Sequence, residues 1–313
     1  KSFPDTYDVE LIALMQRGDA EAMESAPLLE AFGWTVVEKD LPVAISEIDN
    51  PKFCQQFGQV GKIGLAMQLR LWCYTFTAFH RVVHLDADAL VLQNMDELYE
   101  GDKELLYTGD YIRKLRSPVP PVQAGFLVIK PTPERFQELQ NILRRGDHGR
   151  LGWAKSKIGN FWGGQSIPGL LPYMYRKLHQ GKARELHRCT YNCMANNPHR
   201  AGTNKCYDGE RNCPDCRTYN ISSVKSFHFA SCGPPWSCIL HKNPRDQRIC
   251  NEMDAAWFRT RDEMERKLNI NLSYRSTPPF DNPLSLGMCS GYGEVLYKQV
   301  PWVESSTSAH TVG

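Results

Sequence analysis

The stretch of sequence that decides the fold is Arg81-Val-Val-His-Leu-Asp-Ala-Asp-Ala-Leu-Val-Leu92. Its apolar, β-branched residues predict a buried strand that ends at two carboxylates, Asp86 and Asp88. Alternate residues of an extended chain face the same side, so both carboxylates can contact one cation. Open α/β folds bind their ligands at this end of the strands. The alternative interpretation is a solvated turn between two apolar segments.

Strand and helix patterns alternate on both sides of this stretch. Apolar runs predict strands at Val9–Met15, Trp34–Glu38, Ala124–Lys130 and Val224–Phe229. Helical spacing of apolar residues predicts helices at Glu21–Phe32, Lys62–Phe79, Glu134–Arg145, Ile167–Tyr175 and Glu252–Leu268, with a further helix start capped by Asn94 and Glu97. Strands separated by helices favour an α/β fold, in which helices flank a mostly parallel sheet.

Composition narrows the classes of partner. The chain has 313 residues, and its 37 Lys and Arg against 35 Asp and Glu give a net charge of +2. This nearly equal number of positive and negative charges argues against an electrostatic attraction to nucleic acid or to a membrane surface. No apolar run reaches the roughly 20 residues that a membrane helix needs. We therefore expect neither a nucleic-acid partner nor a membrane segment within this chain.

The cysteines indicate an oxidising compartment. Nine of the 11 lie between Cys189 and Cys289, a density typical of disulfide-linked secretory proteins. The alternative is a zinc site, because Cys213-Pro-Asp-Cys216 has ligand spacing and Cys189 and Cys193 could complete it. Such a zinc module would also be the one route to a nucleic-acid function.

Two further observations favour disulfides over zinc. Asn220-Ile-Ser222 and Asn271-Leu-Ser273 match the N-glycosylation acceptor pattern, which is used on secretory proteins. The odd number of cysteines leaves at least one thiol free, and Cys73, inside an apolar helical pattern, is the expected buried one. We therefore expect a protein of the secretory pathway, located in the Golgi lumen or, alternatively, secreted.

A third ligand for the cation is predicted at His228, at the end of the strand-like segment Val224–Phe229. Hard divalent cations take oxygen ligands, and an added imidazole shifts the preference towards manganese. The alternative is a structural histidine in an apolar strand.

These segments, taken in order, resemble the glycogenin-like retaining glycosyltransferases, glycosyltransferase family eight, which have a GT-A (Rossmann-like) fold. The metal-binding signature is matched by Leu85–Leu92, followed by Asn94–Leu98. Val122–Val128 resembles the family's Asn-Ser-Gly strand, and Gly163–Ser166 its Asp-Gln segment. His228-Phe-Ala-Ser-Cys-Gly-Pro-Pro-Trp236 has the family's His-Phe to Pro-Trp spacing.

The resemblance implies a role for each matching residue. Asp86, Asp88 and His228 would hold manganese, which bridges the diphosphate of a nucleotide sugar, usually a UDP sugar. Gln165 would lie beneath the reacting sugar carbon, and Asp110 would be a second, sugar-binding residue of the catalytic centre. The remaining contacts to the donor would come from Arg70, Ala87, Gln123, Gly233 and Trp236. Without the resemblance, Arg70 is equally well a solvated helix charge.

Three residues depart from the family pattern. Gly164 replaces the family's aspartate, Ala124 its serine and Pro234 its diphosphate-binding lysine. Without an acid at Gly164, a covalent glycosyl intermediate cannot form there, so retention would need front-face attack or another carboxylate. The family's first strand and helix also have no counterpart before Lys1.

The resemblance therefore implies a retaining, manganese-dependent transferase that moves a hexose or pentose from a UDP sugar to a glycan or glycoprotein acceptor. The alternative is a non-catalytic glycan-binding or structural protein on a degenerate transferase scaffold. The expected catalytic domain covers residues 1–240 with a cysteine-rich insert at 186–220. A C-terminal helical extension with a flexible tail covers residues 241–313.

Overall fold

The structure is a computed structural model. It describes residues 7–59, 61–110, 119–197, 199, 206, 213–239, 241, 248–275 and 283–301 of the 313-residue chain. The predicted tail from Ser305 and part of the cysteine-rich insert lie outside the described residues.

The secondary structure confirms the alternation of strands and helices. The strands are β1 (Leu11–Gln16), β2 (Trp34–Lys39), β3 (Val82–Leu85), β4 (Ala89–Val91), β5 (Leu105–Gly109), β6 (Val122–Ile129), β7 (His148–Gly149), β8 (Gly152–Trp153), β9 (Ala183–Glu185) and β10 (Ser226–His228). The α-helices are α1 (Ala20–Met23), α2 (Ala26–Ala31), α3 (Pro51–Gln59), α4 (Gly61–Ala66), α5 (Pro133–Arg145), α6 (Ile167–Tyr173), α7 (Arg188–Tyr191) and α8 (Arg248–Lys267).

The central sheet has the strand order β3-β6-β5-β9. β6 is antiparallel to both β3 and β5, and β9 is parallel to β5, so β6 alone runs against the other three. β1 and β2 form a separate parallel pair. The α/β class is confirmed, with one reversed strand in the middle of the sheet.

β6 is buried on both faces and joins two layers of the core. Leu127 and Ile129 pack in a cluster with Leu139 of α5 and Leu170 of α6. Val128, on the opposite face, packs in another cluster with Leu98 and Leu106. Side chains alternate between the faces of a strand, which explains why this segment is an almost continuous apolar run.

Two predicted helices are not continuous α-helices in the structure. The helix expected at Glu21–Phe32 is divided into α1 and α2, because Pro27 lacks the N–H that a continuous helix would need. The amphipathic helix expected at Lys62–Phe79 is present as α4 followed by a 3-10 helix, Met67–Thr75. This 3-10 helix buries Arg70 and Tyr74 beside β3.

The helix start predicted at Asn94 is a single 3-10 turn, Asp96–Leu98. The Asn94 side chain accepts a hydrogen bond from the backbone N–H of Asp96 over 2.7 Å, as a cap would. Glu97 does not complete a capping box, because its carboxylate contacts Lys225 and Tyr191 instead.

The cysteine-rich segment contains disulfides, as predicted. The bonded pairs are Cys189–Cys216, Cys206–Cys213, Cys232–Cys250 and Cys238–Cys289. Three of the four thiolates that a zinc site would need are therefore oxidised. Cys73 is a buried free thiol, as expected, and burial raises its pKa to about 12. Among the described residues, no helix combines the length and the apolar character needed to cross a membrane.

Candidate functional site

The two aspartates that follow β3 lie in a tight turn. β3 ends at Leu85 and β4 begins at Ala89 in a different sheet. The backbone N–H of Ala89 donates to the carbonyl of Asp86 over 3.0 Å, and the N–H of Asp86 donates to the carbonyl of Gly125. The strand ends at the aspartates as predicted. The expectation that the chain stays extended between them was wrong, since the turn rather than strand alternation brings both carboxylates to one side.

His228 reaches this turn through a second, two-stranded sheet. β10 pairs with β4 in antiparallel register, and this register places His228 opposite Ala89. The backbone N–H of Phe229 donates to the carbonyl of Asp88 over 2.9 Å. On its other side the N–H of His228 donates to the carbonyl of Cys193. The backbone therefore fixes the imidazole next to the second aspartate.

Asp86, Asp88 and His228 form a group that could hold a metal ion. One possible ligand atom from each lies within 4.8 Å of the others, and Nε2 of His228 is 3.1 Å from Oδ1 of Asp88. His228 is 4% exposed, and its Nδ1 has no hydrogen-bond partner among the described residues. Two carboxylates and an imidazole are a ligand set that suits manganese. The predicted triad is thus brought together in space.

Gly125 leaves room for this group. A Cβ built at this position would lie 2.5 Å from Cε1 of His228 and 2.7 Å from Oδ2 of Asp86. Real side chains do not tolerate such approaches, so β6 passes beneath the carboxylate and the imidazole only because it has no side chain at this point. We call the space that Gly125 leaves beside Asp86 and His228 the glycine cradle. This space and the ligand set together fit a divalent cation.

Asp86 is held from behind by two basic side chains. Nη2 of Arg70 and Nε2 of His84 lie 2.9 and 3.2 Å from the same oxygen, Oδ1. Burial by itself raises the pKa of Asp86, but the hydrogen bond to His84 and the charge of Arg70 oppose it and lower the pKa to about 2. This carboxylate is therefore ionised and oriented, with Oδ2 left for a ligand.

His84 is a site residue that the sequence interpretation missed. It lies two residues before Asp86, so strand alternation alone places both on one face. Arg70 was expected as a donor contact. The structure pairs its guanidinium with Asp86, and its Nη1 is buried without a partner among the described residues. A bound anion could still use that atom.

Gln123 and Asn192 form a polar cluster next to Gly125. Oε1 of Gln123 accepts from the backbone N–H of Gly125 over 2.7 Å and from Nδ2 of Asn192 over 3.1 Å. Nδ2 of Asn192 also donates to Oγ1 of Thr108, and both of these residues are buried. Asn192 was not predicted. Its signal was a polar residue between two cysteines of the cross-linked segment.

Asp110 lies close enough to His228 and Arg188 for their charges to affect its pKa. Burial raises the pKa of Asp110, whereas the nearby His228 and Arg188 lower it to a smaller extent. Its backbone N–H donates to the carbonyl of Pro121 at the entrance to β6. Arg188, a buried residue of α7, is a third residue that the sequence interpretation did not identify.

The other predicted site residues have contacts outside this group. Nε2 of Gln165 donates to the carbonyl of Gln56 over 3.4 Å. Trp236 packs against Trp257 of α8, with 5.8 Å between ring centroids. Ala87 is exposed in the turn between the two aspartates. Gly233 has a φ of +76°, a backbone conformation that favours glycine. Their predicted roles remain predictions.

Gly164 has no room for the acid that the family carries at this position. A Cβ built there would overlap the carbonyl of Gly159. The segment is fixed by Trp153, a fully buried side chain whose Nε1 donates to the carbonyl of Gly164 over 2.9 Å. The absence of a carboxylate at this point is therefore built into the packing of the backbone.

Among the solved structures that resemble the chain are two glycosyltransferases, and both likenesses are weak. Mouse xyloside xylosyltransferase 1, in its apo form, matches with a TM-score of 0.42 and 13% identity over 72% of this chain and 85% of that chain. The apo form of the glycosyltransferase GlyE from Streptococcus pneumoniae matches with a TM-score of 0.39 and 14% identity over 76% and 59%. No protein-family model matches the chain, and no curated protein matches it significantly. TM-scores below 0.5 decide neither fold nor activity, which have to be argued from this chain's own residues.

Proposed function

We propose that the protein is a manganese-dependent glycosyltransferase that moves a sugar from a nucleotide sugar, in particular a UDP sugar, to a glycan or glycoprotein acceptor. The observation that carries this proposal is the group formed by Asp86, Asp88 and His228 above the glycine cradle of Gly125. Its ligand chemistry fits a divalent cation, and its position at the end of β3 fits a site for a phosphorylated ligand.

The binding of the diphosphate would fall to the charged residues of this group. Asp86 and Asp88 supply oxygens and His228 a nitrogen, while Arg70 and His84 keep the Asp86 carboxylate ionised and oriented. A cation at this position would neutralise the charge that builds on the departing diphosphate. The buried, unpartnered Nη1 of Arg70 supplies a hydrogen-bond donor for a phosphate oxygen.

The sugar would lie on the side of Gln123 and Asp110. Gln123 is linked to the cradle through the N–H of Gly125, and Asp110 lies within the electrostatic reach of His228. We propose retention of the anomeric configuration by front-face attack, because Gly164 has no room for a carboxylate nucleophile. Gln165 next to it stays the candidate for the residue beneath the reacting carbon.

Isothermal titration with UDP tests the proposal. The wild-type protein should bind UDP in the presence of manganese and lose this binding in EDTA. Asp88→Asn should abolish the metal-dependent binding, because one ligand oxygen is replaced by an amide. Asp96→Asn, in the 3-10 turn after β4 and outside the group, is the matched control and should bind as the wild type does. UDP binding of equal strength without metal would contradict the proposal.

A second candidate is a non-catalytic glycan-binding protein on a degenerate scaffold. Gly164 favours it, since the packing leaves no room for the acid that the family carries there. Hydrolysis or transfer assays with a panel of UDP sugars and manganese separate the two candidates. Turnover with any donor would remove the second, whereas metal-dependent binding without turnover would support it.

We also propose a location in the lumen of the secretory pathway, in the Golgi. Four disulfides among the described residues support it, because such bonds form and persist in oxidising compartments. Attached glycans at Asn220 and Asn271, which are both exposed, would be an independent sign of passage through that pathway.

A further inference from the structure

The hydrogen bonds around Gln123 fix which way its amide faces. The backbone N–H of Gly125 can only donate, and it lies 2.7 Å from one terminal atom of the Gln123 side chain. That atom must therefore be the oxygen, Oε1. The other terminal atom is Nε2, a donor, and it has no partner among the described residues.

The same reasoning fixes Asn192. Because Oε1 of Gln123 can only accept, the Asn192 atom 3.1 Å away must be the donor, Nδ2. Nδ2 also donates to Oγ1 of Thr108 over 2.9 Å, so both of its hydrogens are used. Oδ1 of Asn192 is left buried without a partner among the described residues.

An unpartnered buried acceptor is unfavourable for stability. Asn192 is 1% exposed, so its oxygen has no access to bulk water. An apolar residue here would remove that cost, but it would also take away the donor to the buried Oγ1 of Thr108. Among the described residues, the side-chain hydrogen bonds of Asn192 go to Thr108 and Gln123, so its amide is held by its donor atom alone while its oxygen stays unpaired.

We propose that Asn192 is a positioning residue that locks Gln123, so that Gln123 presents only an N–H donor to the donor sugar. The two donors on Oε1 prevent the amide from rotating. The recognised group is then an oxygen acting as an acceptor, such as a sugar hydroxyl, and not a hydroxyl hydrogen. This inference rests on the proposed function, since it concerns the sugar half of the same site.

The position of Asn192 also ties sugar recognition to the cross-linked segment. Asn192 follows α7, whose Cys189 is bonded to Cys216. Cys193, the next residue, accepts from the N–H of His228. One short stretch of chain therefore positions both a metal ligand and the sugar-contacting amide.

The inference is tested by titration calorimetry in the presence of manganese. The affinity for UDP is compared with the affinities for UDP-glucose, UDP-galactose and UDP-xylose. Asn192→Ala should weaken the binding of the preferred UDP sugar by about 5- to 10-fold, the value of one hydrogen bond, and leave UDP binding unchanged. Asn196→Ala, four residues further along the same segment, is the control and should change neither. Equal weakening of UDP and UDP sugar would overturn the inference.

A double-mutant cycle shows whether Asn192 acts through Gln123. In a Gln123→Ala background, Asn192→Ala should have no further effect on UDP-sugar binding. Additive losses would overturn the inference. If Asn192→Ala fails to fold, Thr108→Val carries the test, because it is close in shape and removes the second anchor of Nδ2. Unchanged UDP-sugar binding in Thr108→Val would then overturn it. Absence of metal-dependent UDP binding in the wild type would refute the proposed function, and this inference with it.

Discussion

The substitution Gly125→Ala tests the metal group without replacing any of the ligand residues. The added methyl would lie 2.5 Å from Cε1 of His228, 2.7 Å from Oδ2 of Asp86 and 3.0 Å from Nδ1 of His228. Overpacking of this kind costs about 1–3 kcal/mol, and the strain falls on the imidazole and the carboxylate because β6 is fixed on both sides. We expect manganese affinity to fall by about 10- to 100-fold, the range for changes behind metal ligands.

The assay is calorimetric titration of the metal-free protein with manganese, together with thermal unfolding in EDTA. Gly149→Ala is the matched control, since a Cβ at Gly149 meets nothing within 4 Å and its φ is not positive. The control should bind manganese as the wild type does. A Gly125→Ala protein that is folded and binds manganese with wild-type affinity would refute the assignment of this group as a metal site.

Three further predictions concern stability. In EDTA, the free energy of unfolding should fall as the pH drops from about 4 towards 2, because folding lowers the pKa of Asp86 from 3.8 to about 2 and the stabilisation by its ionised form is lost in that range. Acid titration of Asp86→Asn should show a smaller fall, and an equal fall would contradict the lowered pKa of Asp86. Glu265→Gln should destabilise the protein by about 3 kcal/mol in urea unfolding, since Arg261 and Arg275 would lose their ion pairs with the buried Glu265 carboxylate. A change below about 1 kcal/mol would show that these charges are solvated. Gly164→Asp should lower the melting temperature without raising transferase activity, because its Cβ overlaps the Gly159 carbonyl, and a gain in activity would show that the loop can adapt.

Local patterns were sufficient to predict most of the secondary structure. The apolar runs at β1, β2 and β6 predicted strands, because burial on one or both faces of a sheet is visible in the period of a sequence. The break between α1 and α2 could also have been read from Pro27. The reversed direction of β6 could not, because the direction of a strand depends on which neighbours it pairs with.

The candidate site was predictable only in part, for the same reason. Asp86 and Asp88 were conspicuous at the end of a strand, and His84 could have been found by alternation. The local sequence provided only a weak signal that His228 is a metal ligand, since its position depends on the pairing of β10 with β4, two segments far apart in the chain. The only local signal of Asn192 was a polar residue between two cysteines, which does not reveal its role, because that role follows from contacts with Thr108 and Gln123.

The pairing of β4 with β10 determines when, during folding, the chain becomes able to bind a metal ion. A nascent chain that has emerged only as far as α6 contains Asp86 and Asp88 but lacks the imidazole. Closing so long a loop is slow, and the carbonyl of Cys193 that receives the N–H of His228 belongs to the segment linked by Cys189–Cys216. High cation affinity should therefore arise late, after that segment has docked. Metal binding would then report completed, oxidised folding.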